Sequence, residues 1–259
     1  MLINKPKHHS NNTLTIKART LYPKFINMQT FLKRSLSTMT KPLLLHAHAT
    51  GPNPIKIAIA LEALKVPYDV QQWEFGDDPK KGVKGEAYLK INENGRLPSL
   101  QDPNTGVVAW ESGACMNYIR RVYDREGQLG PAGKKEQDIV DLEKWEYFLL
   151  TNLAPMLGQV NWFRNYHEVK NQDALDRYSA QVYRCFGVLE GQLKKSNGKS
   201  ILPEKITAVD YHAEPWVRQY TFAGLSLDSY PLLQRWLAGM AKLEEVKRGY
   251  VKVKGQGPE

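Results

Sequence analysis

Asn94-Gly-Arg-Leu-Pro-Ser-Leu-Gln-Asp-Pro-Asn-Thr-Gly-Val-Val-Ala-Trp-Glu-Ser-Gly-Ala114 decides how the rest of this chain is read. Two short apolar segments, Leu97 to Leu100 and Val107-Val108, flank Asp102-Pro-Asn-Thr-Gly106. Turn residues packed between apolar runs predict two strands paired as a hairpin. Asn94-Gly95 marks a turn just before. Pro98 sits where the first strand starts, a place where the missing N–H of proline is tolerated. The isomer of the Leu97–Pro98 bond stays open at this level, since only a minority of X-Pro bonds are cis. After the hairpin, Glu111-Ser-Gly-Ala114 opens a helical pattern carried by Met116, Ile119 and Val122. Ser112 reads as the N-cap of that helix, and unpaired N–H groups at a helix N-terminus suit an anion.

Upstream, Leu43-Leu44-Leu45 begins a buried strand that runs into His46-Ala-His-Ala-Thr-Gly-Pro-Asn-Pro54. Asn53 reads as an N-cap followed by Pro54 at the first helical position. Ile55, Ile57, Ala58, Leu61 and Leu64 then keep helical spacing. A second strand is expected over Tyr68 to Trp73, a polar loop over Gly76 to Lys84, and a short helix over Glu86 to Lys90. The first strand, helix and strand form a βαβ unit with a right-handed crossover. The expected order through residue 124 is strand, helix, strand, helix, strand, strand, helix, an α/β thioredoxin-like domain spanning 41–124.

Downstream, 125–135 is a linker rich in Gly, Pro and charge. An all-α domain is expected over 136–252, with a polar tail over 253–259. Pro155 kinks or divides its first long helical run. A long helix is expected from Glu168 to Lys195, and Pro231 opens a last helix through Met240. Thr207 and Asp210 form a capping box. Tyr211, His212 and Glu214 follow it. Polar groups on a buried helix need partners, so this helix is either specialised or more exposed.

Asn-Gly-Arg-Leu-Pro-Ser-Leu, a hairpin, and then Trp-Glu-Ser-Gly-Ala resemble the glutathione-binding motif of the glutathione transferases. From about Lys41 to Val251 the chain is similar to the fungal branch related to the yeast nitrogen regulator that forms prions. The resemblance implies the two-domain architecture and glutathione as co-substrate. It implies that the backbone of Leu97, before Pro98, pairs with the cysteine moiety of glutathione. Glu111 and Ser112 would hold the γ-glutamyl end, with Lys84 and Arg96 as further contacts. It implies a hydrophobic electrophile beside Met156, Gln159, Trp162 and Phe163, although an aromatic stripe at this spacing also suits plain core. It implies a homodimer, with helices of the second domain against the partner's first domain. The capping box serves folding in that family. Three other activities stay open: glutathione-dependent disulfide reduction, a tailoring step in a biosynthetic pathway, and non-catalytic regulation.

The chemistry needs a thiolate at neutral pH, whereas a free thiol has a pKa of about 8.5. The family's usual Tyr, Ser or Cys donor is absent between Leu43 and Lys56. Asn53 and Thr50 remain as candidate catalytic residues, with the backbone amides of Ile55 and Lys56 aimed the same way. Asn53 aligns with an Asn that touches glutathione in the fungal branch. Its roles as cap and as donor are compatible. His46 and His48 read as structural.

The 259 residues are 42% hydrophobic and 24% charged, a globular composition. The formal charge of +9 would suggest a polyanion partner. However, Lys5, Lys7, Lys17, Arg19, Lys24, Lys33 and Arg34 lie in the first forty residues, where no acid occurs. The remainder carries little net charge, so no nucleic-acid partner is expected. Residues 1–40 read as a disordered basic extension, either a mitochondrial transit peptide or an upstream extension before Met28 or Met39. Cytoplasmic residence is expected, or mitochondrial if the transit reading holds. Cys115 and Cys185 read as unpaired thiols, no metal-ligand spacing is present, and no membrane span is expected.

Overall fold

The computed structural model describes residues 40–258, so the reading of residues 1–39 as a disordered extension lies outside the described residues. Four strands form one mixed sheet: β1 (Leu43–Ala47), β2 (Tyr68–Gln72), β3 (Ser99–Asp102) and β4 (Val107–Trp110), in the order β2-β1-β3-β4. β1 and β2 are parallel, and the other pairs are antiparallel. β1 lies inside the sheet, which is why Leu43, Leu45, His46 and Ala47 are all buried rather than alternating. The crossover between β1 and β2 is α1 (Pro52–Ala63). Short α2 (Glu86–Leu89) precedes the hairpin, and α3 (Ser112–Tyr123) follows it.

A carboxylate knot ties the hairpin to α3. Tyr118 and Tyr123 each donate from the phenol to Asp102 Oδ2 at 2.5 Å. Asn104 donates to Asp102 Oδ1 from both its backbone N–H (2.7 Å) and its side chain (2.9 Å). Burial pushes the Asp102 carboxyl up, but these bonds outweigh it and hold the group below the usual carboxylate range.

The second domain is helical: α4 (Glu136–Phe148), α5 (Ala154–Asn165), α6 (Gln172–Leu193), α7 (Ala208–Val217), α8 (Pro231–Met240) and α9 (Glu244–Lys254). The run is divided just before Pro155. A π-helical turn, Leu149–Leu153, joins α4 to α5, and the Ala154 N–H reaches back five residues to the Leu149 carbonyl. Widening the turn here relieves the clash that proline makes with the carbonyl four residues earlier.

Three expectations need correction. Pro231 does not open the last helix, and the tail does not start at 253: α9 follows, and Val246, Tyr250 and Val253 on it are buried. That spacing was readable in the sequence, but six charged residues in the helix masked it. The more exposed reading of the helix carrying His212 fails, since nine of the ten residues of α7 are buried. Glu214 takes Arg218 and the Tyr250 hydroxyl as partners, and Tyr211 donates to Glu245. The capping box forms, with Thr207 at the N-cap and its N–H donating to Asp210 Oδ2 at 2.9 Å.

α1 is apolar around its circumference because the sheet covers one side while α7 and α9 cover the other. Gly249 permits the α9 contact: a Cβ there would meet the Ile59 backbone nitrogen at 2.9 Å. The domain junction also holds charge. Arg120 pairs with Glu146 at 3.0 Å. The His212 ring lies 3.6 Å from Glu146, too far for a hydrogen bond, and both ring nitrogens lack partners among the described residues. Burial and then the nearby Lys56 hold His212 down at about 4, so it is neutral at neutral pH. Lys56, on α1, is 1% exposed, and burial lowers its ammonium to about 7 against the opposing pull of Cys115, Glu111 and Glu146.

Candidate active site

A cleft of about 1060 Å³ opens between the two domains. The first domain contributes Asn53, Arg96, Leu97, Pro98, Glu111 and Ser112 to its wall. The second contributes Pro155, Gly158, Gln159 and Trp162, which recur at helical spacing on α5, and Trp216 from α7. The π-helical turn sets Leu150 and Thr151 into the same wall.

Asn53 does not cap α1. Gly51 holds the N-cap position, and Pro52, Asn53 and Pro54 make the first turn. This changes the amide accounting. The first N–H groups of a helix lack intrahelical acceptors, but Pro52 and Pro54 have none to offer. Lys56 stands far enough along to bond back to Pro52, and neither Ile55 nor Lys56 lines the cleft. What remains at this terminus is Asn53. Its Oδ1 accepts from Trp216 Nε1 at 2.9 Å and from the Ser112 hydroxyl at 3.4 Å. Its Nδ2 has no hydrogen-bond partner among the described residues.

Ser112 is likewise not the N-cap of its helix. Glu111 holds that position, with φ 63° and ψ 119°, a left-handed region costly for a residue with a side chain. Backbone outliers of this kind concentrate at functional sites. The turn places the N–H groups of Ser112, Gly113 and Ala114 at the cleft, ahead of the first intrahelical bond from Cys115 to Glu111. Among the described residues these three amides have no backbone acceptor, and with the helix dipole they suit a carboxylate. The Glu111 carboxylate beside them suits an ammonium and accepts from Asn94 Nδ2 at 3.5 Å. The Leu97–Pro98 bond is cis. Leu97 precedes β3, and its backbone N–H and C=O have no partner among the described residues, so they can pair with an extended ligand.

Eight of the residues singled out from sequence line this cleft: Asn53, Arg96, Leu97, Pro98, Glu111, Ser112, Gln159 and Trp162. Four do not. Thr50 is exposed, and its hydroxyl is engaged by His48 Nδ1 at 2.9 Å. Lys84 donates to the Asn94 carbonyl at 2.9 Å and reaches the rim only through that contact. Met156 packs on the core, and Phe163 stacks on Tyr178 with ring centroids 5.8 Å apart. Helical spacing explains the split, since 155, 158, 159 and 162 share one face while 156 and 163 point elsewhere. Tyr147, Leu150, Thr151 and Trp216 were missed. The π-turn that rotates Leu150 and Thr151 inward has no sequence signal. Trp216 reaches Asn53 across 163 positions of chain. His46 is structural, accepting from Trp73 Nε1 at 2.8 Å and meeting Gln101 Oε1 at 3.0 Å.

Comparison with known proteins gives the family. The pattern of the glutathione S-transferase N-terminal domain matches residues 41–121, and that of the C-terminal domain matches residues 153–244. The chain belongs to the glutathione S-transferase family, in a branch that includes fungal relatives of the Ure2 type. It is 32% identical over 211 residues to the glutathione S-transferase-like protein tpcF of Aspergillus fumigatus, covering 77% of this chain and 91% of that protein. It is 32% identical over 150 residues to protein URE2 of Meyerozyma guilliermondii, covering 56% of this chain and 48% of that one. Among solved structures, the glutathione transferase URE2P6 of Phanerochaete chrysosporium in complex with oxidized glutathione superposes with a TM-score of 0.75 at 29% identity, over 83% of this chain and 97% of the other.

Proposed function

We propose that this protein binds glutathione in the cleft and adds its thiolate to an electrophilic small molecule held against α5. The observation that carries the reading is the Asn53 amide. With its oxygen engaged by Trp216 and Ser112, its NH2 is the donor left for a sulfur anion. A donor to the charged form lowers a thiol pKa. The rest of the tripeptide has matching partners. The amides of Ser112 to Ala114 suit a carboxylate, Glu111 an ammonium, and the Leu97 backbone the central residue. In the reaction the thiol proton leaves to solvent, the sulfur pair forms a bond to the electrophilic carbon, and the leaving group departs with its electrons. Gln159, Trp162 and Trp216 give the electrophile an apolar wall with one amide.

The test is retention on immobilised glutathione followed by turnover of an aryl halide. Retention with no turnover of any electrophile would leave a binding protein and refute the transferase reading. The oxidized glutathione bound by the Phanerochaete relative favours one second reading, exchange of glutathione with a mixed disulfide. Neither described cysteine lines the cleft, so every reacting sulfur would come from substrate. Faster turnover of a mixed glutathione disulfide than of aryl halides would select it. We also propose a homodimer. Val107 and Val108 on the edge strand β4, and Ile139 and Val140 on α4, are exposed apolar residues that a partner would cover.

A further inference from the structure

Asn53 can serve a thiolate only in one of its two amide orientations. With the carbonyl turned toward the sulfur, two electron-rich atoms would face each other. Nothing within α1 fixes the choice, because the side chain makes no hydrogen bond to its own helix. The group that fixes it comes from the other domain. Trp216 stands near the C-terminus of α7, half-buried, and its Nε1 lies 2.9 Å from Asn53 Oδ1. An indole nitrogen only donates. An NH2 facing it would set two donors against each other with no acceptor between them. The amide is therefore held with its oxygen on the indole, and the Ser112 hydroxyl of the first domain donates to the same oxygen at 3.4 Å.

The indole has little freedom to leave. A Cβ at Gly158 of α5 would sit 3.7 Å from Trp216 Cη2, so the ring lies against that helix. α7 is itself anchored in the core through the Thr207 and Asp210 box. Trp216 thus connects a buried helix of the second domain to the Asn53 amide of the first.

We infer that Trp216 is a positioning residue for the thiolate: it orients the Asn53 amide and acts through it, and does not touch the sulfur. The inference rests on the proposed transferase reading. It makes thiol activation a joint property of both domains, with the donor on one and its orientation set by the other.

The test is a pH titration of thiolate ultraviolet absorbance in the glutathione complexes of four proteins: wild type, Trp216→Phe, Asn53→Ala and the double variant. Phe keeps a ring against Gly158 and removes only the donor. The thiol in the wild-type complex should titrate below free glutathione. Trp216→Phe should raise that midpoint by about one pH unit, since a hydrogen bond to a charged group is lost from a fraction of amide orientations. In the Asn53→Ala background the same change should have no further effect, because a residue acting through Asn53 has nothing left to orient. A Trp216→Phe midpoint equal to wild type, or a shift of the same size in both backgrounds, would overturn the inference while leaving the transferase reading intact. A wild-type thiol that titrates as in free solution would overturn that reading first, and this one with it. Should Trp216→Phe fail to fold, the indole N–H of the unaltered protein supplies the measurement. Its nitrogen-15 NMR resonance should be protected from exchange and lose that protection in Asn53→Ala. Rapid exchange in the unaltered protein would overturn the inference.

Discussion

Replacing Lys56 with Met should make this protein more stable, by an amount that depends on pH in a calculable way. Lys56 is wholly buried, and its ammonium makes no ion pair within 4 Å with a described carboxylate. Burial lowers its pKa from 10.5 to about 7. Below pH 7 the lysine is charged whether the chain is folded or not, and the fold carries the full cost of burying the charge. Above pH 10.5 it is neutral in both states and the cost vanishes. Between the two, the unfolded chain binds more protons, so stability rises with pH. At roughly 1.4 kcal/mol per pKa unit, the cost is about 4–5 kcal/mol near pH 6 and shrinks to about 2 kcal/mol at pH 9. Met fills a similar volume without the charge, and Glu146 keeps Arg120 at 3.0 Å. The groups facing Lys56 do not confuse the window, since His212 titrates near 4 and Cys115 is pushed up to about 12 by burial. Urea unfolding at fixed protein concentration, followed by tryptophan fluorescence from pH 6 to 9, measures the gap between the two proteins. A gap that stays constant across this range, or that widens toward alkaline pH, would refute the argument.

Three other outcomes are expected. Asn53→Asp keeps an acceptor for Trp216 and Ser112, so its melting temperature should stay near wild type. Its second oxygen replaces the donor, and a charge about 4 Å from the sulfur at an effective dielectric near 20 should lift the bound thiol by about two to three pH units, more than Asn53→Ala does; equal midpoints for Asn, Ala and Asp would leave Asn53 without a chemical role. Ser112→Ala removes no cap, because Glu111 holds that position. Calorimetry should find stability changed by less than about 1 kcal/mol, while glutathione affinity falls about tenfold or more; unchanged affinity would argue against a ligand contact. Sedimentation at micromolar concentration should give a dimer, and replacing both Val108 and Val140 with Asp should shift it to monomer. A monomer at the outset would leave those valines as ordinary surface.

The hairpin was legible because its signals are local: turn residues between apolar runs, and a glycine-flanked serine opening a helix. The βαβ order and the capping box were legible for the same reason. Asn53 was found, but at the wrong position in its helix. Asn-Pro is a strong cap signal, and two prolines one residue apart gave two possible starts. A one-residue error likewise moved the cap of α3 from Glu111 to Ser112, because the choice depends on a positive φ at Glu111 that a glutamate does not advertise. On α5 the spacing argument was sound, yet which face met the cleft depended on the π-turn before it. Trp216 was out of reach, since its importance comes from a partner in the other domain. His212 posed a question that the sequence raised correctly and could not answer: a buried imidazole kept neutral with no hydrogen-bond partner among the described residues.

The two described cysteines carry a consequence for durability. Cys115 is buried with its thiol pushed up to about 12, and burial likewise raises the Cys185 thiol. Oxidants and alkylating agents attack the thiolate form, so neither side chain offers them a target. Under the proposed chemistry the nucleophile belongs to a diffusible tripeptide and leaves with each product. Damage to that sulfur is then cleared by release and a fresh molecule takes its place. A protein built this way should keep its activity after an iodoacetamide treatment that would silence an enzyme with a cysteine at the same place.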